Sequence, residues 1–304
     1  MAFPTIINYI YICSCFITCL LAIIFLIFAL IDRRRCFEFS TLLACNTALG
    51  VLVYGIANQM IGIYMFLWDY ECITNAELFC PLRGYIHHVG IASIHHSLVL
   101  QAIQKYCRIK NIKILDSSPR KICLVFGQWI FDFGYILPIY LTNNISKLPF
   151  DNACLISISR PDLLFSSGVV AFFVSDIIMA VLYRRLIKFV RQASQKANAN
   201  QMQKINRDVA VFRRITLLNF ELVILGIPAL IVLIVAAIHI EILPKDIFRI
   251  LLLFLNTAVL LMLVLLFWIT PNIRKVLSER IYQVQSRLFQ STTRVRPIVD
   301  NQRF

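Results

Sequence analysis

Residues Phe79 to Arg108 read FCPLRGYIHHVGIASIHHSLVLQAIQKYCR, and this stretch decides the fold of the chain. At a rise of about 1.5 Å per residue, the stretch is long enough to cross a hydrocarbon core of about 30 Å as a helix. It carries four histidines and two glutamines. Because polar groups in hydrocarbon are costly without partners, we expect this helix at the centre of a bundle, surrounded by other helices.

The rest of the chain is apolar enough to supply those other helices. Apolar residues make up 59% of the sequence, against about 45–50% in soluble domains. Runs of about 20 apolar residues predict seven spans. We therefore predict an all-α membrane protein, a seven-transmembrane helix bundle. The predicted spans are Ile6–Ile31, Phe39–Leu67, Phe79–Cys107, Ile122–Leu141, Leu163–Val190, Val209–Ile240 and Ile247–Thr270.

The basic residues are distributed unevenly among the connecting segments. Counted together with the adjoining ends of the spans, three lie between spans 1 and 2, six between spans 3 and 4, nine between spans 5 and 6, and seven after span 7, whereas the remaining five lie towards the other side. Basic loops stay cytoplasmic, so we predict a plasma-membrane protein with an extracellular amino terminus and a cytoplasmic carboxyl terminus. The net charge of +14 then indicates contact with an anionic lipid bilayer, and we expect no nucleic-acid partner.

Three of the ten cysteines fall in the predicted outer segments, namely Cys72, Cys80 and Cys154. A disulfide among them is expected on the oxidising side of the membrane. We favour Cys80–Cys154, which joins the top of span 3 to the second outer loop, and Cys72–Cys80 is the alternative. Asn144 begins an Asn-Ile-Ser sequon in the same loop, which predicts a glycoprotein.

A family resemblance follows from the two ends of span 3. Its inner end reads Gln104-Lys105-Tyr106, and Lys105 lies 25 residues after Cys80. A cysteine at the outer end and a triplet ending in Tyr at the inner end resemble a rhodopsin-like (class A) G-protein-coupled receptor. The other positions that match the family are Trp129 and Pro138 in span 4, Cys154 in the second outer loop, Tyr183 in span 5, Asp208 and Pro228 in span 6, and Pro271 after span 7.

The chain also departs from the family pattern at several of these positions. Gln and Lys replace the acid and the Arg of the triplet, Gly226 replaces an aromatic residue, and the residues from Met262 to Leu266 lack the family's Asn-Pro-x-x-Tyr motif. Span 2 has no aspartate near Val51. The resemblance therefore indicates a divergent, orphan member of the family.

The resemblance implies an activation switch at the inner ends of spans 3, 5 and 6. Pro228 removes a backbone hydrogen bond and is expected to kink its helix. An ion pair between Lys105 and Asp208 would join the inner ends of spans 3 and 6, at about 0–1 kcal/mol; two separately solvated charges are the alternative. The residues of this predicted switch are Gln104, Lys105, Tyr106, Tyr183, Asp208 and Pro228.

Ionisable residues lie near the middle of four spans: His95, Asp132, Asp176 and Glu221. A charged carboxylate there costs roughly 2.5–3.5 kcal/mol on insertion scales, so each is expected to face the bundle interior. His95, Asp176 and Glu221 lie on spans that adjoin in the receptor fold, and we predict that they form a buried polar cluster. A proton relay of a transporter and ordinary hydrogen bonding within a satisfied core are the alternatives.

The resemblance also implies a ligand cavity among the outer halves of spans 3, 5, 6 and 7. Its expected lining residues are Tyr85, His87, His88, Ile91, Phe172, Gly226 and Asn256. His87 falls where amine-binding relatives carry an aspartate, which argues against an amine ligand. Because adjacent residues on a helix point apart, His87 and His88 do not predict a metal site. We expect no cofactor and no retinal, since span 7 lacks a lysine.

The sequence predicts two parts, with the receptor domain over residues 1–271. Residues 272–304 form a short amphipathic cytoplasmic helix, equivalent to helix 8 of the family, followed by a disordered tail. No nucleophile–base pair or phosphate loop stands out, so we do not expect an enzyme. We predict a G-protein-coupled receptor that transmits binding of an extracellular ligand, a peptide or a small chemosensory molecule, to a heterotrimeric G protein through outward movement of span 6. A proton-coupled transporter using the mid-membrane His, Asp and Glu residues is the alternative.

Overall fold

In the part of the chain that the structure describes, seven long helical segments follow one another, with two helices joined by a π-helical turn counted as one, and a short hairpin and an eighth long helix are added. The computed structural model describes residues 2–31, 38–71, 78–110, 112, 117–148, 151–194, 199–238, 244 and 246–293. The helices are α1 Ala2–Ile31, α2 Phe39–Glu71, α3 Cys80–Ile109, α4 Ser118–Leu141, α5 Pro161–Gly168, α6 Val174–Ser194, α7 Ala199–Ile238, α8 Ile247–Ile269 and α9 Pro271–Thr293. A π-helical turn, Val169–Phe173, joins α5 to α6, and strands β1 Ile145–Lys147 and β2 Cys154–Ile156 pair in antiparallel register.

Six of these helices are long and apolar enough to cross a membrane, counting α5 to α6 as one. The described part of the chain is therefore that of an all-α, multi-pass membrane protein. With α5 and α6 taken together, the helices from α1 to α8 correspond to the seven predicted spans to within a few residues at most ends; α7 begins ten residues before its span. Helix α3 is not among the six, because its four histidines and two glutamines lower its mean hydropathy.

The polar helix α3 lies at the centre of the bundle, as the sequence predicts. It packs against α2, α4, α6, α7 and both strands of the hairpin. Most of its side chains are buried, including His87, His95, Gln101 and Lys105. Since its neighbours are apolar on their outer faces, they shield α3 from lipid and also supply hydrogen-bonding partners to its polar side chains.

The hairpin covers one end of the bundle, which we call the disulfide end. Lys147 of β1 pairs with Cys154 of β2, and Cys154 is bonded to Cys80 at the start of α3. This confirms the favoured cysteine pairing; Cys72 lies outside the described residues. At Gly84 a Cβ would lie 2.6 Å from the Cys154 carbonyl oxygen, so glycine is needed for the hairpin to lie directly on α3.

The opposite end, which we call the basic end, carries Lys105, Arg108 and the start of α9. Arg108 Nη1 donates to Glu38 Oε1 at 2.9 Å, just before α2. Helix α9 begins at Pro271, as predicted from the preference of proline for a first helical turn. Ile273 and Val276 of α9 are buried, and α9 packs against α8 and α1.

Candidate functional site: an apolar cavity with buried polar groups

A cavity of about 420 Å³ lies between α3, the fifth span, α7 and α8 at the disulfide end. Its walls are mainly aliphatic and aromatic. Strand β2 and the residues beside the hairpin cover it from the end of the bundle, where Leu148, Leu155, Ile156 and Ile158 line it. A mostly apolar cavity of this size with a few polar groups is typical of a small-molecule site.

Five of the seven predicted ligand-binding residues line this cavity. They are His87, His88, Ile91, Phe172 and Gly226. A Cβ at Gly226 would meet no atom within 4 Å, so this position borders open space.

The other two predicted residues lie elsewhere, and they are not among the lining residues. Tyr85 faces α4, where its hydroxyl donates to the Phe133 carbonyl oxygen at 2.9 Å. Asn256 faces α1, where its Nδ2 donates to Ser14 Oγ. Both helices line the cavity through other residues, and Tyr85 and Asn256 lie on the faces that contact α4 and α1.

The two adjacent histidines at the outer part of the cavity have different surroundings. His87 Nδ1 lies 3.1 Å from Asn58 Oδ1, which also accepts a hydrogen bond from the Tyr11 hydroxyl. His88 Nε2 is buried and has no hydrogen-bonding partner among the described residues. The two rings touch edge to face with centroids 5.1 Å apart. They are therefore closer together than expected for adjacent helical residues, whose side chains point apart.

Two of the three residues of the predicted buried polar cluster, His95 and Asp176, lie beside Asn219 of α7, whereas no contact of Glu221 with either is described. Asn219 Nδ2 donates to Asp176 Oδ1 at 2.6 Å, and His95 lies within hydrogen-bonding reach of Asn219. His95 is 2% exposed, and its Nδ1 has no partner among the described residues. Glu221 also belongs to α7, and its buried Oε2 likewise has no described partner. Asn219, which the sequence did not single out, therefore bonds Asp176 and lies beside His95.

A second buried polar network joins α2, α3, α4 and the π-helical turn. The His96 Nδ1 contacts Asp132 Oδ1, and the His96 Nε2 donates to the Val170 carbonyl oxygen at 3.3 Å. Gln128 Nε2 donates to Asp132 Oδ2 at 3.1 Å and to the Ser93 carbonyl oxygen at 3.0 Å. Asp132 is fully buried, so it faces inward as predicted.

Sequence reasoning missed His96 and Gln128 in this network. The available signal is the spacing of Gln128 and Asp132, which are four residues apart and therefore share one face of an otherwise apolar helix. Asn46 links α2 to this face: its Nδ2 donates to Gln128 Oε1 at 2.8 Å, and its Oδ1 accepts from Trp129 Nε1 at 2.8 Å.

A charged cluster around Arg249 closes the disulfide end and was also missed. Arg249 is 3% exposed and forms ion pairs with Asp69 of α2 and with Asp246, at 3.2 Å for the latter. Its Nε lies 3.5 Å from Asp151 Oδ1, and Asp151 Oδ2 accepts from the Phe248 amide at 3.4 Å. Burial raises the pKa of Asp151 to about 6, against the opposing effects of Arg249 and the Phe248 amide. Asn152 Nδ2 donates to Asp69 Oδ1 at 2.6 Å, so α2, α8 and the second loop meet here.

At the basic end, the structure places part of the predicted switch. Lys105 Nζ donates to Ser40 Oγ at 2.8 Å, and the Ser40 hydroxyl donates to Gln104 Oε1 at 3.2 Å. Tyr183 stacks on Phe212 of α7, with ring centroids 6.2 Å apart. The basic end of α3 is thus bonded to the start of α2.

The remaining switch residues are only partly described. Tyr106 packs against the main core cluster, and Pro228 lies within α7, which is continuous from Ala199 to Ile238. Asp208 belongs to the same helix, but its side chain lies outside the described residues, so its ion pair with Lys105 remains a prediction.

Sequon residue Asn144 lies between α4 and β1 at the disulfide end, and its Nδ2 donates to Thr142 Oγ1 at 2.7 Å. Among the residues that the structure describes, no group of three or more His, Cys, Asp or Glu side chains is arranged to hold a metal ion. No protein-family model matches the chain, and no curated protein matches it in sequence. The fold and site thus define a multi-pass helical membrane protein with an internal cavity, and the function has to be argued from its geometry.

Proposed function

We propose that the chain is a divergent rhodopsin-like G-protein-coupled receptor of the plasma membrane. A ligand would bind in the cavity at the disulfide end, and the basic end would contact a heterotrimeric G protein. The observation that carries the proposal is the cavity itself, which is bordered by four different spans near the centre of the bundle. A ligand that fits one arrangement of these spans better than another shifts the balance between the two arrangements.

In this proposal α3 is a seventh span. Its 30 residues correspond to about 45 Å as a helix, which exceeds the hydrocarbon thickness. Its packing inside the other helices and the partners of its polar side chains remove the cost that would otherwise exclude it from a bilayer. Helix α9 would then lie on the cytoplasmic membrane surface as an amphipathic helix.

The orientation follows from the charges. The disulfide end, with Asn144 and the hairpin, would face outward, where Asn144 would carry a glycan. The basic end, with Lys105 and Arg108, would be cytoplasmic. Epitope tags at the two termini of the expressed chain test this directly in intact and permeabilised cells. An amino-terminal tag that is detected only after permeabilisation would refute the orientation.

Signalling would require α7 to move relative to α3 at the basic end. Lys105 is held by Ser40 of α2, and the predicted ion pair with Asp208 would add a tie to α7. Breaking the tie to α7 alone should favour the active arrangement, because the tie to α2 keeps α3 in place. The Asp208→Ala variant is therefore expected to raise the basal signal in a panel of G-protein biosensors, at equal surface expression.

The matched control is Glu279→Ala, which removes one carboxylate from the exposed face of α9. Its basal signal should equal that of the wild type. If Asp208→Ala behaves like Glu279→Ala, and no G protein in the panel responds to wild type or variant, the receptor proposal is wrong.

A proton-coupled transporter is the second candidate, and the His96–Asp132 pair favours it. His96 Nε2 donates to the Val170 carbonyl oxygen and its Nδ1 contacts Asp132, so two ionisable side chains lie in direct contact within the bundle. A buried carboxyl–imidazole pair in a membrane is a common element of proton relays. Proteoliposomes that show proton-coupled uptake abolished by Asp132→Asn, without any G-protein response in cells, would establish this function instead.

A further inference from the structure

The cavity is open at one side towards the surroundings of the bundle. Phe165 and Phe173 of the fifth span and Ile227, Ile234 and Ile238 of α7 line the cavity and are also exposed on the outer surface. Helix α7 packs against α3, α6 and α8, whereas close backbone contacts between α5 and α7 are few. The gap between α5 and α7 therefore connects the cavity with the region that a bilayer would occupy.

At the disulfide end, in contrast, the hairpin borders the cavity. Strand β2 and its flanking residues line the cavity at the disulfide end, and the Cys80–Cys154 bond holds that strand on α3. A molecule that enters through the lateral gap passes only apolar side chains, so it has to partition into hydrocarbon first.

The deep wall of the cavity differs from the rest because it offers hydrogen-bond acceptors and negative charge. Asp176 lines it, and Asn219 is the only hydrogen-bonding partner that we find for its carboxylate among the described residues. His95 lines it with its Nδ1 unpartnered, and the buried His95 side chain is 2% exposed. No Lys or Arg is among the described residues that line the cavity. An unpaired carboxylate in such a place is costly, and a bound cation would remove that cost.

We propose that the cavity binds a lipophilic amine, which enters from the bilayer between α5 and α7 and places its ammonium group against Asp176 beside His95. This inference rests on the proposed function in one respect: both take the cavity as the ligand-binding site. Amine-binding relatives carry an aspartate at the position of His87, which on sequence alone argues against an amine ligand. In this chain Asp176 of the fifth span supplies a carboxylate instead, about two helical turns deeper in the cavity. An acid ligand is disfavoured, because its carboxylate would lie next to Asp176.

The test uses the purified full-length chain in lipid nanodiscs and three probes with the same apolar body: tritiated decylamine, decanol and decanoic acid. We expect saturable binding with decylamine bound most tightly. Asp176→Asn should weaken decylamine binding by about tenfold or more and leave decanol binding little changed. Equal affinity of the three probes, or decylamine binding that Asp176→Asn leaves unchanged, would overturn the assignment of the head group.

Position 226 tests whether the probe occupies this cavity. Gly226 lines the cavity and a Cβ there meets no atom within 4 Å, so Gly226→Trp should place its indole in the cavity and abolish saturable binding of decylamine and decanol. Gly134→Trp on the outer face of α4, where a Cβ also meets nothing within 4 Å, is the matched control and should bind like the wild type. Unchanged binding in Gly226→Trp would refute the site.

The lateral entry is tested by the kinetics of binding. Ile227→Trp narrows the gap and should slow decylamine association several-fold, whereas Ile224→Trp, an exposed neighbour outside the cavity lining, should not. Equal association rates would refute this route. If no probe bound saturably to a folded sample, the ligand proposal would be wrong. The proposed receptor function is decided by a different measurement, the response of the G-protein biosensors.

Discussion

Gly90 determines how closely α2 and α3 approach at the centre of the molecule. A Cβ at this position would lie 2.7 Å from Tyr54 Cα and 2.8 Å from Tyr54 N. Since both of these atoms belong to the backbone, no side-chain rotation can make room. Small residues at helix interfaces allow this kind of approach in membrane proteins.

Gly90→Ala is therefore expected to force the two helices apart and to destabilise the protein by about 1–3 kcal/mol, measured as a lower Tm in detergent. Gly127→Ala is the matched control, because a Cβ there meets no atom within 4 Å. The control should be neutral or gain about 0.5–1 kcal/mol from the better helix propensity of alanine. Equal Tm values for the two variants would contradict the close packing of α2 on α3.

At the scale of single elements, α3 shows how a polar helix can occupy the middle of a membrane bundle. Its histidines are divided between two sides: His87, His88 and His95 line the cavity, whereas His96 contacts α4 and the π-helical turn. The π-helical turn matters here because it presents the Val170 carbonyl oxygen to His96, and such turns often occur at functional sites.

Helix α9 is a second element whose position depends on few residues. Ile273 is fully buried against the main core cluster, and Asn272 Nδ2 donates to Thr41 Oγ1 at 3.0 Å. Ile273→Ala should leave a cavity that costs about 2–5 kcal/mol locally, and so release the start of α9. Hydrogen–deuterium exchange over residues 272–286 should become faster.

The control for this variant is Tyr282→Ala, which removes a larger but exposed side chain, 73% exposed, from the same helix. Its exchange should match that of the wild type. Unchanged exchange in Ile273→Ala would show that Ile273 does not hold α9 on the bundle.

At the scale of the whole molecule, the Arg249 cluster joins parts of the chain that are far apart in sequence. It brings together α2, the second loop and α8, and Asn8 of α1 adds a hydrogen bond to Asp69 Oδ2 at 3.0 Å. These helices surround the outer part of the bundle, so the cluster fixes their separation there. Breaking a buried pair leaves a charge without compensation, which is more costly than the pair is favourable.

The cluster predicts a pH dependence through Asp151. Its pKa in the folded protein is about 6, raised from 3.8 mainly by burial, so between about pH 4 and 6 the folded state holds a proton that the unfolded state releases. Stability should fall as the pH rises through this range, by about 1–3 kcal/mol, and the loss should be complete above about pH 6. Tm measured in detergent from pH 4 to 8 tests this.

The comparison that isolates Asp151 is the Asp151→Asn variant, which carries no titrating group at this position. The difference in Tm between the variant and the wild type should grow between about pH 4 and 6 in favour of the variant, then stay constant. Glu71→Gln, an exposed carboxylate at the same end, should track the wild type. A difference that does not vary with pH would show that Asp151 does not titrate with folding.

The amino-acid sequence by itself determined the helical spans, the central place of α3 and the preferred Cys80–Cys154 bond. Long apolar runs in a bilayer have to satisfy their backbone groups as helices, and a polar run has to lie inside them. Only the tertiary structure decided which side chains meet, such as His96 with Asp132, Arg249 with Asp69, and Asn256 with α1 rather than the cavity. The physical reason is that such contacts depend on the rotation of each helix about its axis and on its neighbours, and packing between distant segments sets both.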